Sequence, residues 1–137
     1  MAIYQGVCAS FKEELFSGTH DFTGDTIKMA LFDSTAELSA NTTAYSDTGE
    51  VSASGYTSGG SALTPTVTRT GQQVEISFAN VSWTAEITAR GALIYNASKS
   101  NKAIAVLSFG QNRSSVSGVF AVTMPSQGSD FPILKLS

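Results

Sequence analysis

The residues best suited to chemistry are a histidine beside a carboxylate and a lone cysteine, namely His20, Asp21 and Cys8. A histidine next to a carboxylate can act as a general base when the fold holds a nucleophile against it. The sequence has no GxSxG or HExxH motif that would position such a group. We therefore interpret His20 as structural and Cys8 as a small buried hydrophobic residue. The sequence does not predict an enzyme.

The carboxylates are scattered rather than spaced for a metal ion. Asp21, Asp25 and Asp33 surround the first predicted strand, and Asp47 and Glu50 flank a Thr-Gly pair. A calcium loop needs acidic ligands at alternate positions before a glycine, and neither group has that spacing. A phosphate-binding loop needs a Lys-Ser/Thr pair opening a helix, which is not present after the glycines at 55, 59, 60 and 71. We expect no metal and no cofactor.

Length, charge and cysteine content limit the kinds of protein that this sequence can encode. The chain has 137 residues, of which 14% are charged, and a net charge of −3. This length predicts a single domain, 1–137, and the negative charge disfavours a nucleic-acid partner. No stretch is apolar enough to span a membrane, and residues 1–6 lack the features of a secretory signal. With a single cysteine, the chain is expected to be made in a reducing cytoplasm.

Residues 10–18 are predicted to form a short helix. Ser10 and Glu13 have the spacing of a capping box, in which each side chain accepts the backbone N–H of the other residue. Phe11 and Leu15 form one apolar stripe, and Gly18 stands where a left-handed residue would end the helix. A helix this short is unstable alone, so we expect it to pack on the sheet or on a neighbouring subunit.

Alternating apolar and polar residues predict strands in most of the remaining chain. A first strand lies within 25–33, and the main strand region is 65–136. That region contains a hairpin around Thr70-Gly71-Gln72, a strand with Val81 and Trp83, central strands at 88–95 and 102–109 joined by the turn 96–101, and final strands at 119–124 and 133–136. Seven or eight short strands linked by turns predict a mainly all-β fold, an antiparallel two-sheet β-sandwich with one short N-terminal helix.

Residues 34–64 form a long Ser/Thr/Gly-rich segment with few large apolar residues. A segment of this length without secondary structure is either a functional loop or flexible. Its isolated tyrosines, Tyr45 and Tyr56, favour an ordered loop that is pinned at intervals, with Tyr56 as an anchor. A solvated loop with no partner is the alternative. We expect the segment to become protected from proteolysis only after assembly.

Arg90 is the charged residue that most needs an explanation. It lies in Ala89-Arg90-Gly91-Ala92, within a strand that is otherwise apolar on both faces. A buried charge requires a partner, so we expect either a rim position or a salt bridge, with Glu75 or Glu86 as intramolecular candidates. The candidate contact residues of the chain are then Phe11, Leu15, Tyr45, Tyr56 and Arg90.

Several stretches carry a further signal. They are FKEEL at 11–15, followed by Gly18 and His20-Asp21-Phe22, then DTIKMALF at 25–32, TTAY at 42–45, EVS at 50–52, GYTSGG at 55–60, ARGALIYN at 89–96 and KAIAVLSFG at 102–110. In this order, over most of the chain, they resemble a family of small virion structural proteins of tailed bacteriophages. The resemblance implies a non-enzymatic particle component, made in the host bacterial cytoplasm and carried in the virion.

Among the roles that the resemblance implies, we favour a capsid decoration or cement protein. Such a protein would bind the major capsid protein, add contacts across the joints of the shell, and form a homo-oligomer, for which a trimer is one arrangement. A tail-fibre, adaptor or baseplate module bound to tail proteins is the first alternative. The second is a carbohydrate-binding module for host recognition, which would need exposed aromatics among Tyr45, Tyr56, Trp83 and Tyr95. The alternation of Val81 with Trp83 instead favours Trp83 in the core.

Overall fold

The structure is a computed structural model that describes residues 2–123 and the backbone of residues 134–136. In this part the chain forms one helix, α1 (Ala9–Phe16), and ten strands. The strands are β1 (Gly6–Val7), β2 (Ile27–Phe32), β3 (Ser61–Ala62), β4 (Pro65–Thr70), β5 (Gln73–Phe78), β6 (Val81–Thr84), β7 (Thr88–Asn96), β8 (Lys102–Ser114), β9 (Val119–Val122) and β10 (Leu134–Leu136). The predicted mainly-β fold with one short N-terminal helix is confirmed. Met124, Ile133 and the predicted turn at 128–130 lie outside the described residues.

The strand pairs are antiparallel, as predicted, but the described strands form three hydrogen-bonded sheets rather than two. Their orders are β1-β8-β7-β2-β3, β10-β5-β4 and β6-β9. The first two sheets separate at Pro65. The N–H of Leu63 still donates to the carbonyl of Ile27 in β2 at 2.7 Å, whereas Pro65 has no N–H to continue that ladder. From Pro65 onward the strand pairs with β5 through its other edge.

The core joins all three sheets and covers both faces of the central one. A single cluster of buried apolar side chains includes Leu31, Ile76 and Phe120, one from each sheet. Successive residues of a strand point to opposite faces, and the last two residues of β7 show what lies on each. Tyr95 stacks on Tyr45 of segment 34–64, while Asn96 bonds to His20 beside α1. The segment and the helix therefore cover opposite faces of the central sheet.

The helix starts one residue earlier than predicted and without the capping box. Cys8 is the N-cap residue, no side-chain hydrogen bond caps the helix, and Ser10 Oγ is buried without a partner among the described residues. Backbone hydrogen bonds fix the start instead, because Cys8 N donates to the carbonyl of Ile104 at 2.9 Å and Ala9 N to that of Ala40 at 2.8 Å.

The predicted end of the helix at Gly18 is confirmed. Gly18 has a φ of 71°. Its N–H donates to the carbonyl of Leu15 at 3.3 Å, and the N–H of Thr19 donates to that of Glu14 at 3.0 Å. These two bonds form a Schellman motif, which satisfies carbonyls that the helix leaves unpaired.

Candidate functional site

His20 lies in a polar network between α1 and the end of β7. Its side chain is fully buried, and Nε2 lies 2.8 Å from Glu14 Oε1. Nδ1 of the ring lies 2.9 Å from Nδ2 of Asn96, which is also fully buried. Asn96 Nδ2 donates a second hydrogen bond to Asp25 Oδ2 at 2.8 Å, and its Oδ1 accepts the N–H of Ser98 at 3.0 Å.

The Asn96 amide determines which nitrogen of His20 carries the proton. Because Oδ1 takes the Ser98 N–H, the group facing the ring is the Nδ2 donor, and His20 Nδ1 must accept. Nε2 then carries the proton and donates to Glu14. Both ring nitrogens are therefore engaged inside the protein, and the ring also packs against Phe11 at 4.9 Å between centroids. This geometry supports a structural role for His20, because no free lone pair remains to activate a nucleophile.

Asp25 closes the network at the protein surface. Lys99 Nζ donates to Oδ1 and Oδ2 of Asp25 at 2.9 Å and 2.8 Å, and the backbone N–H of Asp21 donates to Oδ2 at 3.0 Å. The hydrogen bonds from Lys99, and after them those from Asn96 and Asp21, lower the pKa of Asp25 from 3.8 to about 2. All of these donors stabilise the charged form of the carboxylate.

Acidification is expected to remove the stabilising effect of Asp25. A carboxyl group with a lowered folded-state pKa stabilises the fold above its unfolded pKa, here 3.8, and this contribution is lost as the pH falls through 3.8 toward about 2. We expect Asp25→Asn to be less stable than the natural chain at pH 5, with the difference in melting temperature shrinking between pH 4 and pH 2. The measurement is thermal unfolding across that range. Asp47→Asn, at an exposed carboxylate, is the control; a difference for Asp25→Asn that stays constant with pH would contradict the account.

A second polar cluster, on the opposite face of the sheet, centres on Glu50. Its Oε1 accepts hydrogen bonds from Tyr45 Oη at 2.5 Å and Ser58 Oγ at 3.1 Å. Its Oε2 accepts from Tyr56 Oη at 2.6 Å and from the N–H of Gly59 at 2.8 Å. All of these residues belong to segment 34–64, so one carboxylate ties together three parts of the segment.

Two tyrosines attach this cluster to the central sheet. Tyr56 Oη accepts the N–H of Leu31 in β2 at 2.9 Å, and Tyr95 Oη of β7 donates to the carbonyl of Gly59 at 2.5 Å. Burial raises the pKa of Tyr56, and the hydrogen bond to Glu50 raises it further. Burial also raises the pKa of Tyr95 to about 12. Both phenols therefore stay protonated near neutral pH and act as permanent donors.

Segment 34–64 is ordered within the single chain. Leu38, Ala44 and Glu50 form bridges to Ile3, Lys102 and Phe32 respectively. The prediction of a loop pinned at intervals, with Tyr56 as an anchor, is confirmed. The expectation that the segment gains protection only after assembly does not agree with this geometry, because its hydrogen bonds and core contacts lie within one chain.

The free protein is therefore expected to resist proteolysis in this segment. A protease that cuts after glutamate has sites at Glu37 and Glu50, and the segment has no lysine or arginine. The bonds of Glu50 must open before cleavage, whereas Glu37 is exposed. We expect cleavage after Glu50 to be far slower in the native free protein than in the unfolded protein, as measured by mass spectrometry of the fragments. Equal cleavage rates at Glu50 in the two states would contradict this expectation.

The predicted contact residues divide between the core and the surface. Phe11 is 0% exposed and Tyr56 is 8% exposed, so both serve the core of the chain rather than a surface within reach of another subunit. Leu15 and Tyr45 are partly buried and pack against that core. Helix spacing and isolation in a polar segment identified these residues as apolar anchors, but could not tell an internal contact from an external one. Cys8 is fully buried, as predicted, and burial raises its pKa to about 11.

Arg90 makes a different contact from the predicted salt bridge. It is half-buried, and its Nη1 donates to Ser108 Oγ at 3.2 Å. The structure describes Arg90, Glu75 and Glu86, and it shows no ion pair between the arginine and either glutamate. The reason is a bulge: the pairing of β7 with β8 shifts between Ala89 and Gly91, which turns Arg90 out of the regular ladder.

The same irregularity opens a groove beside β8. Pairing changes from Gly91 with Ser108 to Ala89 with Arg113, so residues 109–112 stand opposite Arg90 alone. Here lies an open groove of about 590 Å³, whose lining includes Phe109, Arg113, Val116, Val119 and Phe120. Val116 and Val119 are 76% and 39% exposed, so the groove has apolar side chains open to solvent. The sequence prediction ended this strand at residue 109 and therefore missed the groove.

Three of the four aromatic residues predicted as carbohydrate-binding candidates are buried. Tyr56, Trp83 and Tyr95 are 8%, 6% and 2% exposed. Trp83 packs between Tyr56 and Phe120, with centroid distances of 5.8 Å and 6.5 Å, so the prediction that it belongs to the core is confirmed. Tyr45 is partly exposed, but its hydroxyl is bonded to Glu50.

Among the described residues, no group of three or more His, Cys, Asp or Glu side chains is placed to hold a metal ion. No helix in the described part of the chain has the length and apolar character needed to cross a membrane. No family model, curated protein or solved structure significantly matches this chain. The resemblance to virion structural proteins therefore stays a prediction from the sequence.

Proposed function

We propose that this protein is a non-enzymatic structural component of a tailed-bacteriophage particle, where it acts as a capsid decoration protein. The observation that carries the proposal is a division of roles between interior and surface. The two polar clusters that could do chemistry, around His20 and around Glu50, are engaged in internal hydrogen bonds. The large apolar side chains that the described residues expose are Tyr4, Phe16, Val67, Val116 and Val119, and the last two lie together at the groove. Exposed apolar surface of this kind is typical of protein–protein contacts.

The proposed mechanism is mechanical. The protein binds assembled capsid subunits, buries the apolar groove against them, and adds favourable free energy to the shell at many equivalent positions. A rigid fold suits this task, since little conformational entropy is lost on binding when the contact surface is already ordered. The tail-fibre, adaptor or baseplate role uses the same surface with a different partner, and copy number in the particle separates the two. The carbohydrate-binding role is less favoured, because three of its four candidate aromatics, Tyr56, Trp83 and Tyr95, are buried.

A deletion and add-back experiment tests the decoration role. Particles produced without this protein should release their DNA at a lower temperature than complete particles, and added purified protein should restore the temperature in a saturable way. Val116→Asp should fold but fail to restore it, because the charge lies in the groove. Gln72→Asp, at the exposed tip of the β4–β5 hairpin, should restore it like the natural chain. Purified protein that does not bind deficient particles would contradict the proposal.

A further inference from the structure

Within the described residues, the outer edge of β4 presents backbone groups without a strand partner, in a defined pattern. β4 is the edge strand of the sheet β10-β5-β4 as described. The carbonyl of Thr64 accepts the N–H of Ala79 at 3.1 Å, and antiparallel ladders alternate, so even-numbered residues of β4 point their backbone groups toward β5. The backbone groups of Pro65, Val67 and Arg69 therefore point outward. The edge offers two donors, from Val67 and Arg69, and three acceptors.

This edge has little of the protection usual for exposed strands. Natural edges are commonly blocked by charged side chains, prolines, bulges or a covering segment. β4 pairs with β5 without a register shift and carries one charge, Arg69, and one proline at its first position. Val67 at its centre is 47% exposed. The remaining residues are threonines, which favour strand pairing.

We propose that β4 pairs antiparallel with β4 of a second copy of this chain, about a twofold axis that passes through Val67. In this register each Val67 N–H donates to the Val67 carbonyl of the other copy. Each Arg69 N–H donates to the Pro65 carbonyl of the other copy. All outward donors are thus used, and the two three-stranded sheets become one continuous sheet.

Self-complementarity is the reason to assign the partner as a second copy. Pro65 has no N–H to donate, so its pair with Arg69 of the other copy makes one hydrogen bond, from the Arg69 N–H to the Pro65 carbonyl, and only the Arg69 carbonyl is left to solvent. Thr66 faces Thr68 of the other copy, a favourable cross-strand pair. The two Arg69 side chains lie four residues apart, about 13 Å. If the twofold axis passed through Thr68, closer to the hairpin turn, the two Arg69 residues would be diagonal cross-strand neighbours, about 7–8 Å apart. One patch that matches itself is the mark of a twofold interface.

Cysteine cross-linking of the full chain tests this register. Directly opposed residues of a hydrogen-bonded pair have Cα atoms about 5.5 Å apart, within the range of a disulfide. Val67→Cys should therefore form an intermolecular disulfide under mild oxidation. Arg69→Cys should not, because its counterpart lies about 13 Å away. Cys8 is buried and will not compete. Equal cross-linking of both variants, or cross-linking of neither, overturns the proposal.

Self-association provides the second readout, by native mass spectrometry and sedimentation over a range of concentrations. The natural chain should be a dimer, and Val67→Lys should weaken dimerisation by about tenfold or more, because two like charges then face each other at the axis. Val116→Lys, an equivalent change at another exposed valine, should leave the dimer unchanged. A monomer or trimer mass, or an equal effect of both lysines, overturns the proposal. The test uses the free protein, so its result is independent of the proposed particle role.

Discussion

Replacing Gly60 with alanine is expected to destabilise the protein by at least about 3 kcal/mol. Gly60 has a φ of 83°, and an added Cβ would overlap the carbonyl oxygen of Met29 and lie 2.8 Å from the Cα of Ala30. Both neighbours are backbone atoms of the central strand β2, so they cannot move aside as a flexible side chain could. The measurement is the free energy of unfolding from denaturant titration.

Gly18→Ala is the matched control for this prediction. Gly18 also has a positive φ, 71°, but no atom lies within 4 Å of an added Cβ. The control therefore isolates the cost of the backbone conformation, about 1 kcal/mol, from the cost of the close approach. Equal losses in the two variants would mean that segment 34–64 does not pack onto β2 as described.

Glu50→Ala is expected to cost about 3 kcal/mol of stability, because it removes the acceptor of four hydrogen bonds. Two of the donors, the Tyr56 hydroxyl and the Gly59 N–H, belong to buried residues and would lose their partner. A buried donor without an acceptor carries its full desolvation cost. Thermal and denaturant unfolding provide the measurement.

Glu37→Ala controls for the loss of a carboxylate in the same segment, since Glu37 is exposed. It should change stability by no more than about 0.5 kcal/mol. Glu50→Ala should also speed proteolysis of residues 34–64, whereas Glu37→Ala should not. If the two variants were equally stable, the cluster around Glu50 would not hold the segment in place.

Sequence patterns identified the elements whose signal is local. Alternation in 27–32 and 74–78 predicted β2 and β5, and Gly18 predicted the end of α1. Tyr56 was recognised as an anchor because a large aromatic residue in a polar segment needs a reason to be there. These predictions succeeded because each depends on residues close together in the chain.

Features that depend on distant contacts could not be read in the same way. His20 and Asn96 lie 76 residues apart in sequence, and nothing near either residue indicates their hydrogen bond. The prediction of a capping box at Ser10 failed because backbone hydrogen bonds to Ile104 in β8 and to Ala40 in segment 34–64 fix the start of the helix. The groove beside β8 arises from a register shift that the apolar pattern of this strand does not reveal.

The described part of the protein has a closed interior, an open groove next to β8 and an exposed edge on β4. Polar networks on both faces of β7 hold the helix and segment 34–64 against the central sheet. None of the residues that the structure describes pairs with the outer edge of β4, and the groove is open among them, so both surfaces are candidates for contact with other molecules. A protein built in this way acts through the surfaces it presents, which agrees with the proposed particle role.

The decisive measurement is the copy number of this protein in purified particles, from quantitative mass spectrometry against the major capsid protein. A decoration protein should be present at about one copy per capsid subunit, or about one per three. Fewer than about one copy per twenty capsid subunits would contradict the decoration role and assign the protein to the tail or to a single vertex. Its absence from particles would contradict the virion role itself.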